Sequence, residues 1–150
     1  MKVLREGEGT RLNIFGDIAV IKLSGDDTGG ACAAWESITE PGMGPPMHRH
    51  SREDESFFVL EGEHEFSVDG QSIKAGPGAF VYAPRATKHT FRNLSSKPGR
   101  MLVSVQPAGL EKFFGEINAL PPGPPDMGKV LPIFEKYGLE FLGPPLSAGG

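Results

Sequence analysis

Two of the four histidines in this 150-residue chain have a spacing that suits binding to one metal ion. His48 and His50 are two residues apart, so on a β-strand their side chains point to the same face. The same His-Arg-His sequence also occurs on solvated surfaces. The pair therefore needs further ligands before it indicates a metal site.

A carboxylate five residues further along supplies a third candidate ligand. On one straight strand Glu55 would face away from the two histidines, but the polar stretch 51–54 can form a turn or bulge that reverses this. The apolar run 56–60 follows at once, so we expect the Glu55 carboxylate to be buried and to need a cation or hydrogen-bond partners. Glu53 and Asp54 are alternatives, although both are expected in a solvated loop.

His89, at the start of a predicted strand after Pro84, completes a set of three imidazoles and one carboxylate. Four such ligands leave two adjacent positions of a six-coordinate ion for water, O₂ or a chelating substrate. They suit one divalent ion of Mn, Fe, Co, Ni, Cu or Zn and do not select among these metals. The single cysteine, Cys32, excludes a thiolate zinc cluster and an internal disulfide.

The elements that must position these residues are predicted to be short strands. The chain has 21 Gly and 14 Pro, together 35 of 150 residues, and they lie between short apolar runs. No helical period persists between Leu12 and Gln106. The sequence therefore predicts an all-β sandwich or barrel, with strands at 11–15, 18–23, 31–39, 55–60, 63–68, 71–74, 80–83, 89–93 and 100–106.

The pattern changes after Gln106. Leu110, Phe113, Phe114 and Ile117 follow an i, i+3, i+4, i+7 spacing, which predicts an amphipathic helix over 109–120. The proline-rich stretch 121–125 ends it, and 129–137 is a second, short helix candidate. We expect a barrel domain at 1–108 and an extension at 109–150 that packs on the barrel or on a partner subunit.

Composition and charge exclude several classes of function. With 15 basic and 19 acidic residues the formal net charge is −4, so nucleic acid is not expected as a partner. The longest apolar runs, such as 18–21, are too short to span a bilayer, and the first residues do not resemble a signal peptide. These features predict a globular protein of the cytoplasm.

Two segments resemble the two conserved motifs of the cupin superfamily. The first motif is carried by Gly42, His48, Arg49, His50, Glu55 and Gly62, and the second by Gly78, Pro84, Arg85, Ala86, His89 and Asn93. The family's spacing is kept throughout. One position differs, because the family usually has glycine where this chain has Ala86, and alanine resists a positive φ angle.

The resemblance implies a double-stranded β-helix, or jelly-roll, barrel with a metal ion inside one mouth. His48, His50, Glu55 and His89 would be its ligands, and a homodimer formed through the sheets is expected. Within the superfamily, residues 44–50, 54–62, 89–93 and 106–114 are similar to the quercetin-dioxygenase-like group. That similarity implies a dioxygenase or related oxidoreductase acting on a small, oxygen-rich, flavonol- or polyketide-like chelator, with Glu55 also accepting a proton from the substrate.

The strand pattern suggests further pocket residues. Phe57 and Val59 share the parity of Glu55, and Phe91 and Tyr82 are candidates for an aromatic lining. His64 should point into the barrel, where a hydrogen-bonded core imidazole is favoured over a substrate-contacting base.

Two other functions remain open at this point. One is a cupin isomerase, epimerase or cyclase that needs no O₂, with His64 or Tyr82 as its acid or base. The other is a non-catalytic cupin that binds a small ligand in the barrel mouth. Turnover without oxygen would indicate the first, and saturable binding without chemical change would indicate the second.

Overall fold

The computed structural model describes residues 1–147, and within them eleven strands and three helices form one barrel with helices against it. The strands are β1 (Thr10–Ile14), β2 (Asp17–Leu23), β3 (Ala33–Thr39), β4 (Met47–His50), β5 (Asp54–Glu61), β6 (His64–Val68), β7 (Gln71–Ala75), β8 (Phe80–Ala83), β9 (His89–Asn93), β10 (Gly99–Gln106) and β11 (Leu139–Gly143). The helices are α1 (Gly25–Thr28), α2 (Leu110–Asn118) and α3 (Met127–Lys136).

The strands form two antiparallel sheets that face each other, which confirms the predicted all-β jelly roll. One sheet has the order β1-β2-β3-β10-β5-β8, and the other has the order β11-β4-β9-β6-β7. Successive side chains of a strand point to opposite faces of its sheet, so every second residue can enter the core. In β10, Met101, Val103 and Val105 are buried, whereas Leu102 between them is exposed.

Two elements differ from the sequence prediction. No helix was predicted between the strands at 18–23 and 31–39, but Gly25–Thr28 form one helical turn because the Asp27 side chain accepts hydrogen bonds from the Ser24 backbone and hydroxyl. Strand β11 was not predicted. It pairs with β4, with Leu139 opposite His50 and Phe141 opposite His48, so its formation depends on a partner about ninety residues away.

The segment after Gln106 packs on the barrel of its own chain. Helix α2 contacts β1, α3 contacts α2 and β11, and β11 extends the five-stranded sheet. Aromatic rings make these contacts: Trp35 meets Phe114 at a centroid distance of 4.8 Å, and Phe113 meets Phe134 at 5.1 Å. In the described part of the chain, every helix falls short of the length and apolarity needed to cross a membrane.

Candidate metal centre

Four side chains that the sequence predicts as ligands come together between the two sheets. His48 and His50 lie on β4, Glu55 on β5 and His89 on β9. His48 stands directly opposite His89 in the β4–β9 pairing. One ligand atom from each of the four residues lies within 4.8 Å of the others, which is a spacing at which a single ion can contact all of them.

The connection between β4 and β5 explains why Glu55 faces the histidines. Residues 51–53 turn the chain from one sheet into the other, so the two strands do not share one pleat. The start of β5 is then fixed by Asp54, which accepts hydrogen bonds from the Arg85 backbone N–H at 2.8 Å and from its guanidinium at 3.1 and 3.2 Å. Ala86 adopts a positive φ of 68° and its N–H donates to the His50 carbonyl at 2.7 Å, so alanine takes the conformation that glycine normally supplies here.

Backbone carbonyls fix the tautomers of two histidines. The Nδ1–H of His48 donates to the Pro46 carbonyl at 2.7 Å, and the Nδ1–H of His89 donates to the Thr87 carbonyl at 3.0 Å. A carbonyl can only accept, so the proton must be on Nδ1. The Nε2 lone pair of His48 is therefore free to bind an ion, whereas Nε2 of His89 lies 2.8 Å from Glu55 Oε1, a contact that a bound ion would replace. This arrangement is common behind metal-ligating histidines, where it sets both the orientation and the basicity of the ring.

His50 is held differently, between two acidic residues. Its Nε2 lies 3.2 Å from Glu55 Oε1 and its Nδ1 lies 3.5 Å from Glu53 Oε2. Neither nitrogen has a hydrogen bond of good geometry within the described residues, although the side chain is buried. Buried polar atoms without partners are uncommon, and an ion beside Nε2 would satisfy this one. The residues present therefore fit a divalent metal ion.

Burial and mutual charge shift the pKa values of the group. Burial, with the charges of His89 and His50, lowers the pKa of His48 to about 3, so this ring is neutral at physiological pH. Burial opposes a charge on His50, but attraction to Glu55 and Glu53 outweighs it and raises the pKa to about 9. Burial also opposes the Glu55 charge, yet the histidines hold the pKa of that carboxyl well below its usual range. A metal ion would take the place of the His50 proton, so its binding releases that proton.

A cavity of about 100 Å³ adjoins three of these residues, His48, His50 and Glu55. Phe57 and Phe91, two of the predicted pocket residues, line it. Its other walls are mostly apolar and come from both sheets, α2, α3 and β11, with contributions from Ile14, Trp35, Val103, Phe113, Phe134 and Leu139.

The other three predicted pocket residues lie outside this cavity, and the prediction is corrected for them. Val59 is buried deeper along β5, opposite Met101. His64 is fully buried, with Nδ1 3.2 Å from the Gly62 carbonyl, which is the core imidazole that the sequence favoured. Tyr82 is half exposed on the outer face of β8, because its neighbours Val81 and Ala83 take the inward positions.

Two acidic residues near the site are not among the four predicted ligands. Glu53 was expected in a solvated loop, but its side chain is buried behind His50. Asp17 lines the cavity at the start of β2. Strand alternation could have indicated that Asp17 faces inward, because it shares the parity of Ala19 and Ile21, which both face the core.

Comparison with known proteins agrees with this architecture. Residues 35–105 match the family described as "Cupin domain", and that region contains all four candidate ligands. Residues 35–105 form a cupin domain. Among solved structures, KdgF from a Halomonas species matches this cupin with a TM-score of 0.67 at 18% identity, over 75% of this chain and 98% of that one. At that identity the likeness concerns the fold alone.

Two curated relatives share more of the sequence. The quercetin 2,3-dioxygenase of Bacillus subtilis (strain 168) is 32% identical over 139 residues, which are 93% of this cupin and 39% of that protein. The protein named polyketide synthase CurC of Streptomyces cyaneus is 25% identical over 100 residues, which are 67% of this cupin and 65% of that protein. The chain thus spans less than two thirds of the length of either relative.

Proposed function

We propose that this cupin is a metal-dependent dioxygenase that acts on a small, oxygen-rich, metal-chelating substrate of flavonol- or polyketide-like type. The observation that carries the proposal is the group His48, His50, Glu55 and His89, whose ligand atoms lie within 4.8 Å of one another beside an apolar cavity. The 32% identity to a quercetin 2,3-dioxygenase supports the reaction class.

The ligand set suits one divalent transition metal ion held by three imidazole nitrogens and one carboxylate oxygen. When bound, such an ion supplies Lewis acidity and a template that brings a chelating substrate and O₂ together. The histidine Nδ1 contacts to the carbonyls of Pro46 and Thr87 hold two of the rings in place before any ion arrives. The site is therefore organised in advance, which reduces the cost of binding.

Glu55 has a second proposed role, as the acceptor of a proton from a substrate hydroxyl. Its carboxyl is ionised at neutral pH, because the histidines hold its pKa well below the usual range. It is buried and lines the cavity, so a substrate hydroxyl can approach it without intervening bulk water. The apolar walls of Trp35, Phe57 and Phe91 suit a flat substrate body.

An oxygen-uptake assay tests the reaction class. The protein is reconstituted with each candidate metal and supplied with 3-hydroxyflavone, whose adjacent hydroxyl and carbonyl oxygens chelate metals. We expect one O₂ consumed per substrate, and loss of at least 99% of turnover in Glu55→Ala. Glu63→Gln, at an exposed site, serves as the control. A Glu55→Ala variant with full metal content and full turnover would contradict the role of Glu55.

An isomerase or cyclase that needs no O₂ is the second candidate, and the relative named as a polyketide synthase favours it. Its two suggested acid–base residues, His64 and Tyr82, lie outside the cavity, which weakens it. Turnover that continues under strict anaerobic conditions would select this candidate over the dioxygenase. Binding of the chelator with no chemical change would instead indicate a ligand-binding cupin.

We further propose that the protein is a homodimer formed through the outer face of the six-stranded sheet. This face, here called the outer apolar face, carries neighbouring large side chains on β5, β8 and β10. Phe58 pairs across the sheet with both Phe80 and Leu102. Contiguous exposed apolar surface of this kind is typical of interfaces. The outer apolar face comprises Phe58, Leu60, Phe80, Tyr82 and Leu102.

A further inference from the structure

One cavity residue outside the candidate ligands carries a charge-bearing group that the proposed function does not use. Apart from the candidate ligands His48, His50 and Glu55, the cavity-lining residues that carry a hydroxyl or carboxyl group are Asp17 and Ser37. No lysine or arginine is among the lining residues, and the two histidines there, His48 and His50, belong to the metal group.

The carboxyl group of Asp17 is only partly satisfied. Its Oδ2 accepts a hydrogen bond from the Ser37 hydroxyl at 3.3 Å, and Ser37 lies 3.4 Å from the Thr39 hydroxyl. Its Oδ1 is buried and makes no hydrogen bond of good geometry within residues 1–147, although the Thr39 hydroxyl and the Ile18 N–H also act on this carboxyl. A buried carboxyl oxygen without a partner costs stability, and a ligand that supplies the missing partner would recover that cost.

Strand register places Asp17 away from the metal group. Glu55 pairs with Val105, which pairs with Ala33 on β3, whereas Ser37 lies four residues further along β3. Four residues of strand are roughly 13 Å. Asp17 therefore meets the part of a ligand that is remote from its chelating oxygens.

The row between these two polar positions is apolar. Trp35, Val103 and Phe57 are directly paired neighbours on β3, β10 and β5, and all three line the cavity. A matching ligand has chelating oxygens at one end, a flat apolar middle and a hydrogen-bonding group at the other end. Burial raises the pKa of Asp17 to about 7, so the neutral acid and the carboxylate are both present near neutrality. A hydroxyl group can donate to Oδ1 in either form, whereas an anionic group would be repelled by the carboxylate.

We propose that Asp17 is a specificity-determining substrate-binding residue that accepts a hydrogen bond from a hydroxyl group at the end of the substrate remote from the metal. This inference rests on the proposed function only in assuming that a chelating substrate occupies the cavity. It narrows the substrate class to flat chelators with a distal hydroxyl, as in a polyhydroxylated aromatic compound.

Calorimetric titration of the metal-loaded protein with three matched probes tests the inference. The probes are 3-hydroxyflavone, 3,7-dihydroxyflavone and 3,4′-dihydroxyflavone, which share the chelating group and differ in a hydroxyl at either far end. We expect wild type to bind one of the two dihydroxy probes about tenfold more tightly than 3-hydroxyflavone, as one buried hydrogen bond allows. Asp17→Ala should lose this preference, and Asp26→Asn, an exposed aspartate on α1, should keep it.

Thermal unfolding separates a binding role from a structural one. Because Oδ1 has no partner in the described chain, Asp17→Ala and Asp17→Asn should melt at the same temperature as wild type or higher. A lower melting temperature in both variants, together with weaker binding of all three probes, would show that Asp17 supports the fold instead.

The remaining outcomes distinguish this inference from the proposed function. Equal affinity of wild type for the three probes, or a preference that survives in Asp17→Ala, overturns the inference and leaves the proposed function standing. The expected affinities without O₂ consumption support the inference and contradict the dioxygenase. Failure of metal-loaded wild type to bind any probe contradicts both.

Discussion

At the scale of single residues, the centre depends on groups behind the ligands as much as on the ligands. His48 and His89 are each oriented by one backbone carbonyl, whereas His50 depends on the Glu53 carboxylate, 3.5 Å from its Nδ1. An outer partner of this kind makes a bound histidine more basic and limits its rotation. Glu53 therefore belongs to the site although it is not one of the four candidate ligands.

Replacing Glu53 by glutamine should weaken metal binding about tenfold or more. The amide keeps the shape of the side chain but removes the negative charge that faces His50 Nδ1, and partners in this position are typically worth 10- to 100-fold in metal affinity. Competition with a chromophoric chelator measures the change. Glu63→Gln, at an exposed carboxylate, is the matched control; equal affinities in the two variants would show that Glu53 does not support the site.

Asp17 should make the protein less stable as the pH rises from about 4 to 7. Burial raises its pKa from 3.8 to about 7 in the folded state, so over this range the unfolded chain has released a proton that the folded chain still holds. Stability falls with rising pH wherever the unfolded state binds fewer protons, here by at most about 4 kcal/mol. The asparagine of Asp17→Asn cannot ionise, so this fall in stability with rising pH should be absent from the variant.

Urea unfolding at pH 4 and pH 8 measures this dependence. The free energy of unfolding of Asp17→Asn relative to wild type should increase with pH, whereas that of Asp26→Asn, at an exposed aspartate, should stay constant. A constant difference between Asp17→Asn and wild type would mean that Asp17 ionises normally in the folded protein.

The four candidate ligands could be found from the sequence because their signals are local. His48 and His50 share a strand, and Glu55 directly precedes an apolar run. Glu53 and Asp17 could not be placed in the same way. Their burial depends on how a connecting turn and a hairpin lie against the rest of the folded barrel.

At the scale of elements, the extension after Gln106 completes the wall around the metal group. Strand β11 pairs with β4, which carries His48 and His50, and Phe134 of α3 lines the cavity. Without β11, strand β4 would become an edge strand of its sheet within the described chain, and edge strands have unpaired backbone groups that loosen or pair elsewhere.

Truncation after Leu120 should therefore weaken both the fold and the metal site. It removes the buried side chains of Val130, Phe134 and Leu139, each of which stabilises the fold by about 2 kcal/mol. We expect a lower melting temperature and at least tenfold weaker metal binding. Truncation after Gly143, which keeps β11, is the control. An unchanged melting temperature and metal affinity after truncation at Leu120 would exclude a role for α3 and β11.

Most elements could be predicted because the pattern of apolar residues that defines each one lies within the element itself. Alternating residues defined β10, and the spacing of Leu110, Phe113, Phe114 and Ile117 defined α2. Strand β11 has five residues and follows the turn at Gly138. Its identity as a strand comes from pairing with β4, a long-range contact that no local pattern encodes.

At the scale of the whole molecule, the two faces of the six-stranded sheet serve different purposes. The inner face lines the cavity, whereas the outer apolar face presents Phe80, 64% exposed, and Tyr82, 50% exposed. Tyr82 was predicted in the pocket, and its observed position makes it an interface candidate instead. One sheet would thus serve both the candidate site and the assembly.

A charge on the outer apolar face should dissociate the proposed dimer. Sedimentation equilibrium at micromolar concentration should give wild type twice the chain mass of 16.1 kDa. Phe80→Glu should sediment as a monomer, because in a symmetric dimer it places two carboxylates in an apolar interface. Ile73→Glu, at an exposed apolar site on the other sheet, should remain dimeric. A monomeric wild type would contradict the dimer, and dimeric Phe80→Glu would place its interface elsewhere.

Binding of one metal ion by His48, His50, Glu55 and His89 is the central prediction for this protein. Elemental analysis of the tag-free protein after reconstitution with divalent metals tests it most directly, with His48→Ala and His89→Ala as the test variants. His64→Ala, at a buried histidine outside the group, is the control. We predict close to one equivalent of a transition metal in wild type and His64→Ala, and a loss of at least 90% of it in the other two. Equal metal content in all four proteins, or none in wild type, would contradict the account.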